Sequence, residues 1–160
     1  MTHHLAQLNI ARFSLPQEHP NNAEFIDSLD RVNAVAEAQP GFIWRLKGEG
    51  NDAMDLQAFD DPHLIVNISV WADMDALGAF VYRNAAHRDI MRRRREWFDK
   101  IEFYLVLWWI PEGHLPTVSE AKGRLSMLKD AGPSRDAFTF RHPLPQPGGD
   151  SVDPILDECA

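Results

Sequence analysis

The chain opens on a two-residue alternation. In HLAQLNIARF (4–13), Ala6, Leu8 and Ile10 fall to one side and Leu5, Gln7 and Asn9 to the other. That is the period of a β-strand with one apolar face and one face that is half amide. After a proline- and asparagine-rich break, AEFIDSLDRVNAVAEAQ spaces Phe25, Leu29, Val32 and Ala36 at helical intervals and stops before Pro40 and Gly41, which predicts a first helix. FIWRLKG (42–48) predicts a second strand, the acidic NDAMDLQAFDD a loop, and the β-branched LIVNISVW (64–71) a third strand. Asp73 is a suitable N-cap for a helical region through MDALGAF that continues, with a break near Asn84, to Phe98. FYLVLWWI (103–110) predicts the last strand, and residues 117–131 an amphipathic third helix stopped by Gly132 and Pro133. From Leu144 onward the proline, glycine and acidic content predicts a flexible tail. The expected organisation is one domain over residues 1–143 and a tail over 144–160.

Strand, helix, strand, strand, helix, strand is the order of a ferredoxin-like α+β unit, here with an extra C-terminal helix, in which both crossover helices lie on one face of the sheet. The other face then needs a cover. A face carrying Ile65 and Trp71 beside Gln7, Asn9, Asn67 and Ser69 is too mixed for water and too polar for a dry core. Dimerisation through it, or a ligand pocket within it, resolves the conflict.

Composition narrows the function. With 160 residues, 44% of them hydrophobic, and a formal charge of −8, one ordinary domain is expected. The acidic balance argues against nucleic acid or an anionic membrane as partner. No stretch has the length of a membrane span and MTHHLAQLNIARF lacks the order of a signal peptide, so a cytoplasmic location is expected. Cys159, the single cysteine, allows neither an internal disulfide nor a thiolate zinc site, and reads as a bystander thiol.

The strings VWADMDALGAFVYRNAAHRDIMRRRREWF, LWWIPEGHLPTVSEAKGRL and DAFTFRH together resemble the bacterial family called domain of unknown function 3291, to about residue 143. The resemblance implies a dimeric α/β barrel, in which two ferredoxin-like sheets of a homodimer pack together and each subunit keeps a pocket between sheet and helices. That superfamily includes cofactor-independent quinone-forming monooxygenases, haem-degrading monooxygenases and simple isomerases and lyases, so the fold alone fixes little chemistry.

Strand parity puts Asn67, Ser69 and Trp71 on one face, and Gln7 and Asn9 together on the first strand. Amide and indole N–H groups converging there could stabilise negative charge on a substrate oxygen or dioxygen. A strand asparagine followed four residues later by a tryptophan is similar to the site of the quinone-forming monooxygenases, with Tyr82 and an arginine of the next helix as further matches. Asn9, Trp71 and His87 are instead similar to the haem-degrading branch. The same residues also have ordinary uses: buried asparagines satisfy bulged strands and strand-end tryptophans fill barrel mouths.

His87 can exchange a proton near neutral pH, as a base or as a haem ligand. Helical spacing aligns Met91 and Arg94 with it, and Trp97 or Phe98 a turn further. Consecutive helical residues point about 100° apart, so Arg92 to Arg95 form four separate contacts rather than one basic patch. At most one or two of them, with Arg94 in line with His87, are expected to face a pocket, where a guanidinium fork could hold a carboxylate, enolate or phenolate. Glu120 and Arg124 have the spacing of an intrahelical ion pair, and Thr117 or Ser119 of a cap. His114 sits in a loop, and no histidine spacing supports zinc, so no metal is expected.

The expectation is a homodimeric protein binding a small apolar, aromatic or polyketide-like molecule between its sheet and second helix. It would act as a cofactor-independent monooxygenase with His87 as base, Tyr82 as an orienting donor, and Asn67, Trp71 and Arg94 around the reacting oxygens. Gln7, Asn9, Ser69, Trp97 and Trp108 complete the lining. The alternatives are a haem protein ligated by His87 and a binding module without catalysis.

Overall fold

The computed structural model describes residues 2–48, 50, 52–54 and 56–155; Cys159 lies outside them. Five strands, β1 (His3–Phe13), β2 (Phe42–Arg45), β3 (Leu64–Trp71), β4 (Phe98–Asp99) and β5 (Leu105–Pro111), form one antiparallel sheet. β1 is central: β3 pairs along one side, and β5 then the short β4 along the other. β2 lies outside β3 at the sheet edge, with an irregularity between Phe42 and Trp44. The helices are α1 (Ala23–Ala38), α2 (Met74–Gly78), α3 (Ala85–Arg92) and α4 (Val118–Ala131). This is the expected ferredoxin-like order with an added helix.

Each face follows from the alternation in β1. Leu5, Trp71 and Leu107 face α1 and α2 and pack with Ala36, Met74, Leu77 and Phe80. Ala6, Leu8, Ile10, Val66, Ile68, Val70, Val106, Trp108 and Ile110 face the other way, onto Ala121, Leu125 and Leu128 of α4. Burial of each such leucine is worth about 1.5–3 kcal/mol. The mixed face of Gln7, Asn9, Asn67, Ser69 and Trp71 is therefore the one beneath the crossover helices, and the face opposite them is apolar and closed by the chain's own α4. That corrects the placement of the polar residues on the face away from the helices. The physical reason is that α4 spans the apolar face, leaving the amides to the side where the helices cover them incompletely.

Thr117 caps α4, its Oγ1 accepting from the Glu120 N–H at 3.1 Å. Glu120 does not pair with Arg124. Its carboxylate turns to the sheet and loop, accepting from Trp108 Nε1 at 3.3 Å and meeting His114 Nε2 at 2.8 Å, while Arg124 donates to the Asp136 carbonyl at 3.0 Å. Gly41 has φ +90°, and a Cβ there would run into the Ala76 methyl, so the turn between α1 and β2 requires glycine. The segment after 143 also departs from expectation. Trp109 Nε1 donates to the Leu144 carbonyl and the Ile155 N–H to the Phe140 carbonyl, both at 2.8 Å. Leu144, Val152 and Ile155 pack on the cluster beneath α2, giving a polar-looking tail three apolar anchors.

Candidate functional site

The seam between β1 and β3 carries a chain of polar side chains. Gln7 stands opposite Ser69 and Asn9 opposite Asn67. Trp71 Nε1 donates to Ser69 Oγ at 2.8 Å. Gln7 Nε2 donates to the same Ser69 oxygen at 2.8 Å and to Asn67 Oδ1 at 2.5 Å, while Asn9 Nδ2 donates to Gln7 Oε1 at 3.3 Å. Gln7, Ser69 and Trp71 are buried, Asn9 half-buried and Asn67 exposed. The relay runs from the core to solvent at mid-sheet.

Beyond α2 the helical layer is thin. α3 contributes no buried residue; Ala86, His87, Ile90 and Met91, and Arg94 just beyond it, are all half-buried. A π-helical turn over Ala79–Arg83 joins α2 to α3, and the backbone is extended at Asn84, whose Oδ1 accepts from the His87 N–H at 3.2 Å. π turns often mark functional places. Here the turn sets Phe80 between two aromatic partners, stacked on Trp71 at 5.4 Å and tilted against His87 at 4.7 Å.

His87 Nδ1 lies 3.0 Å from the Val81 carbonyl. A carbonyl only accepts, so Nδ1 carries the proton and Nε2 is bare in the neutral ring. Nε2 has no hydrogen bond among the described residues. Burial lowers the His87 pKa below its ordinary value, the Val81 bond opposing it. The imidazole is thus a neutral proton acceptor at pH 7.

Several expected site residues stand elsewhere. Trp71 is not a ligand wall: it is 1% exposed, wedged edge-on to Phe42 at 5.3 Å and stacked on Phe80. Trp108 points to the α4 face because β5 alternates, and is fully buried there. Trp97 is buried against Phe25 at 5.5 Å, with the Arg93 guanidinium 4.9 Å over its ring. The predicted helix to Phe98 ends at Arg92; Arg93 leaves helical geometry and a 3₁₀ turn follows. The alignment of Trp97 and Phe98 with His87 therefore fails. Tyr82 is half-buried and meets Phe140 edge to face at 5.4 Å.

The arginines do have separate contacts. Arg92 pairs with Asp89, and Arg93 with Glu24 and Glu96. Arg94, the one half-buried member, donates to the Met91 carbonyl at 2.8 Å. The Arg94 and Arg141 charges reach the Tyr104 hydroxyl, whose pKa burial nevertheless raises. Phe80, the Val81 carbonyl and Tyr104 carry no pattern in the sequence that marks them. The break at Asn84 is the one legible trace of the π turn.

No three His, Cys, Asp or Glu side chains converge to hold a metal among the described residues. Of the two hollows described, one of about 510 Å³ lies along the β2 edge by Glu37 and Phe42–Lys47. The other, about 140 Å³, lies between Asp73, Trp109 and Gln146. Neither is lined by His87 or Asn67. No described helix is long and apolar enough to cross a membrane.

The family model described as domain of unknown function (DUF3291) matches residues 4–153, and the chain belongs to that family. No curated protein matches it. A protein of unknown function from Nitrosomonas europaea superposes with a TM-score of 0.50 at 14% identity, covering 72% of this chain and 97% of its own. A protein from Shewanella oneidensis does so with 0.50 at 9% identity, covering 69% and 93%. SnoaB, a cofactor-independent oxygenase from Streptomyces nogalater, gives 0.47 at 20% identity, covering 71% and 98%. The first two likenesses concern the fold.

Proposed function

We propose that this DUF3291 member binds a small, multi-ring, oxygen-bearing molecule over Asn9 and Asn67 and oxygenates it without a cofactor. The observation that carries the reading is the relay from Trp71 through Ser69 and Gln7, which brings a fixed amide to the surface at Asn67 on the helix side of the sheet. His87 supplies the second group, a bare Nε2 on a ring held by Val81. Phe80 separates that ring from Trp71, and this reading takes one multi-ring ligand, as an aromatic polyketide is, to reach both His87 and Asn67.

In this reading Nε2 takes the proton of a phenol or enol, and the Asn67 amide donates to the oxygen on which charge develops. Tyr82 orients the ring system, and Arg94 completes the charge balance at the far end of α3. The electron-rich anion itself then reduces dioxygen. Oxygen uptake by the purified protein with anthrone and related phenols tests this. Uptake that falls at least about 100-fold in His87→Ala, the usual scale of a lost base, supports it; no uptake, or uptake indifferent to that change, rejects it.

A homodimer belongs to the same reading. With α4 on the apolar face, a second copy would meet the edge of β2, where Ile43 is 44% exposed. Sedimentation should find a dimer that Ile43→Lys splits; a wild-type monomer removes this part.

A further inference from the structure

Gln7 is 3% exposed, so its amide must find all its partners inside the protein. Those bonds run in one direction along the seam. The Trp71 indole N–H is a donor only, and it occupies one lone pair of Ser69 Oγ at 2.8 Å. Gln7 Nε2 spends one proton on that same oxygen and the other on Asn67 Oδ1 at 2.5 Å, and its own Oε1 accepts from Asn9. Asn67 Oδ1 is thereby turned inward. Its Nδ2 makes no hydrogen bond among the described residues, on a side chain exposed at mid-sheet.

We infer that Gln7 is a positioning residue that holds Asn67 as a hydrogen-bond donor, so that the surface at Asn67 selects flat ligands with an acceptor oxygen over similar ligands presenting an amine. The selectivity rests on the proposed function above; the orientation of Asn67 does not. Gln7 touches no ligand itself. It acts by fixing which end of the Asn67 amide meets one, because a site built around a donor leaves an amine unpaired.

Gln7→Glu inverts the relay with almost no change in shape. The carboxylate accepts only, so Ser69 donates its own hydroxyl proton to it, and Asn67 turns its Nδ2 inward and shows Oδ1 at the surface. Gln7→Met removes the hold altogether. The first readout is exchange of the Asn67 side-chain amide protons with water, by NMR on the whole chain. The inference expects rapid exchange in wild type and one protected proton in Gln7→Glu. The second is binding of 1,8-dihydroxyanthraquinone against 9-aminoanthracene, followed by tryptophan quenching. Wild type should prefer the quinone by about tenfold, Gln7→Glu should reverse the preference, and Gln7→Met should bring it within about twofold of unity.

A protected Asn67 amide in wild type, or a preference unchanged in the variants, overturns the inference. If wild type binds neither probe, selectivity and the proposed function fall together, and the exchange measurement still decides whether Gln7 orients Asn67. If Gln7→Glu does not fold, Gln7→Met carries the comparison: a retained probe preference overturns the inference and its loss supports it.

Discussion

Replacing Trp71 by phenylalanine separates a core role from a ligand-wall role. The benzene ring can keep its edge-to-face contact with Phe42 and its stack on Phe80. What disappears is the pyrrole half of the indole and the bond from Nε1 to Ser69 Oγ. Ser69 still receives the Gln7 proton, so no acceptor is orphaned and the lost bond costs about 1 kcal/mol. The missing ring atoms leave a small void in a site only 1% exposed, adding about 1–2 kcal/mol. The sum, about 2–3 kcal/mol, lowers the melting temperature of a chain this size by about 5–10 °C. Urea unfolding with an unchanged slope is the assay, run beside probe binding. A Trp71→Phe protein within about 0.5 kcal/mol of wild type that has lost all probe binding would refute the argument and return Trp71 to the ligand.

Burial depresses the folded His87 pKa, so below about pH 6.5 the unfolded chain takes a proton that the folded chain refuses. Stability therefore falls as pH drops through that value, by at most about 1.4 kcal/mol per pH unit, and levels once the folded ring titrates. Urea unfolding between pH 5 and 8 should show this component in wild type and lose it in His87→Gln; matching profiles would contradict a buried neutral ring. Titration with haemin should give no Soret band assignable to His87, and a band abolished in His87→Ala would replace the oxygenase reading with a haem one. Truncation after residue 143 removes the acceptor of Trp109 and the Leu144, Val152 and Ile155 contacts and should cost about 2–4 kcal/mol, the scale of partly burying three apolar side chains. An unchanged melting temperature would mean the tail is not docked.

Local rules make much of the fold legible. Alternation in β1 and β3 groups the side chains of each face correctly, Asp73 and Thr117 cap the helices expected of them, and Asn84, expected as a break, caps α3. Long-range choices are not legible. Nothing in residues 118–131 says which sheet face α4 covers, and that choice moves the polar residues to the helix side. Trp108 was within reach, since β5 must alternate and Leu105 pairs with Asn9; its neighbour Trp109, not Trp108, shares the helix face. The end of α3 at Arg93 is hidden because arginine is a good helix former. The backbone departs there as Arg93 turns to Glu24, Glu96 and the Trp97 ring.

The closure of one face gives the other its meaning. To reach the apolar side, a ligand or second sheet would have to lift α4, exposing Leu125 and Leu128 at about 1.5–3 kcal/mol each and freeing Trp108 Nε1 from Glu120. On the helix side no such cost arises, because Asn67 is already exposed and α3 buries nothing completely. A sheet stabilised only as a core gains little from amides in its central seam, where apolar pairs such as Leu8 and Ile68 pack without polar atoms to satisfy. Gln7, Asn9, Asn67 and Ser69 are satisfied by one another and by Trp71, and their relay reaches solvent at Asn67. The double variant Gln7→Leu with Ser69→Val, which keeps Asn67 but leaves the buried Trp71 Nε1 without its acceptor, should still fold, at a cost of about 1–3 kcal/mol, while losing probe selectivity. Loss of folding instead would show that the relay serves architecture.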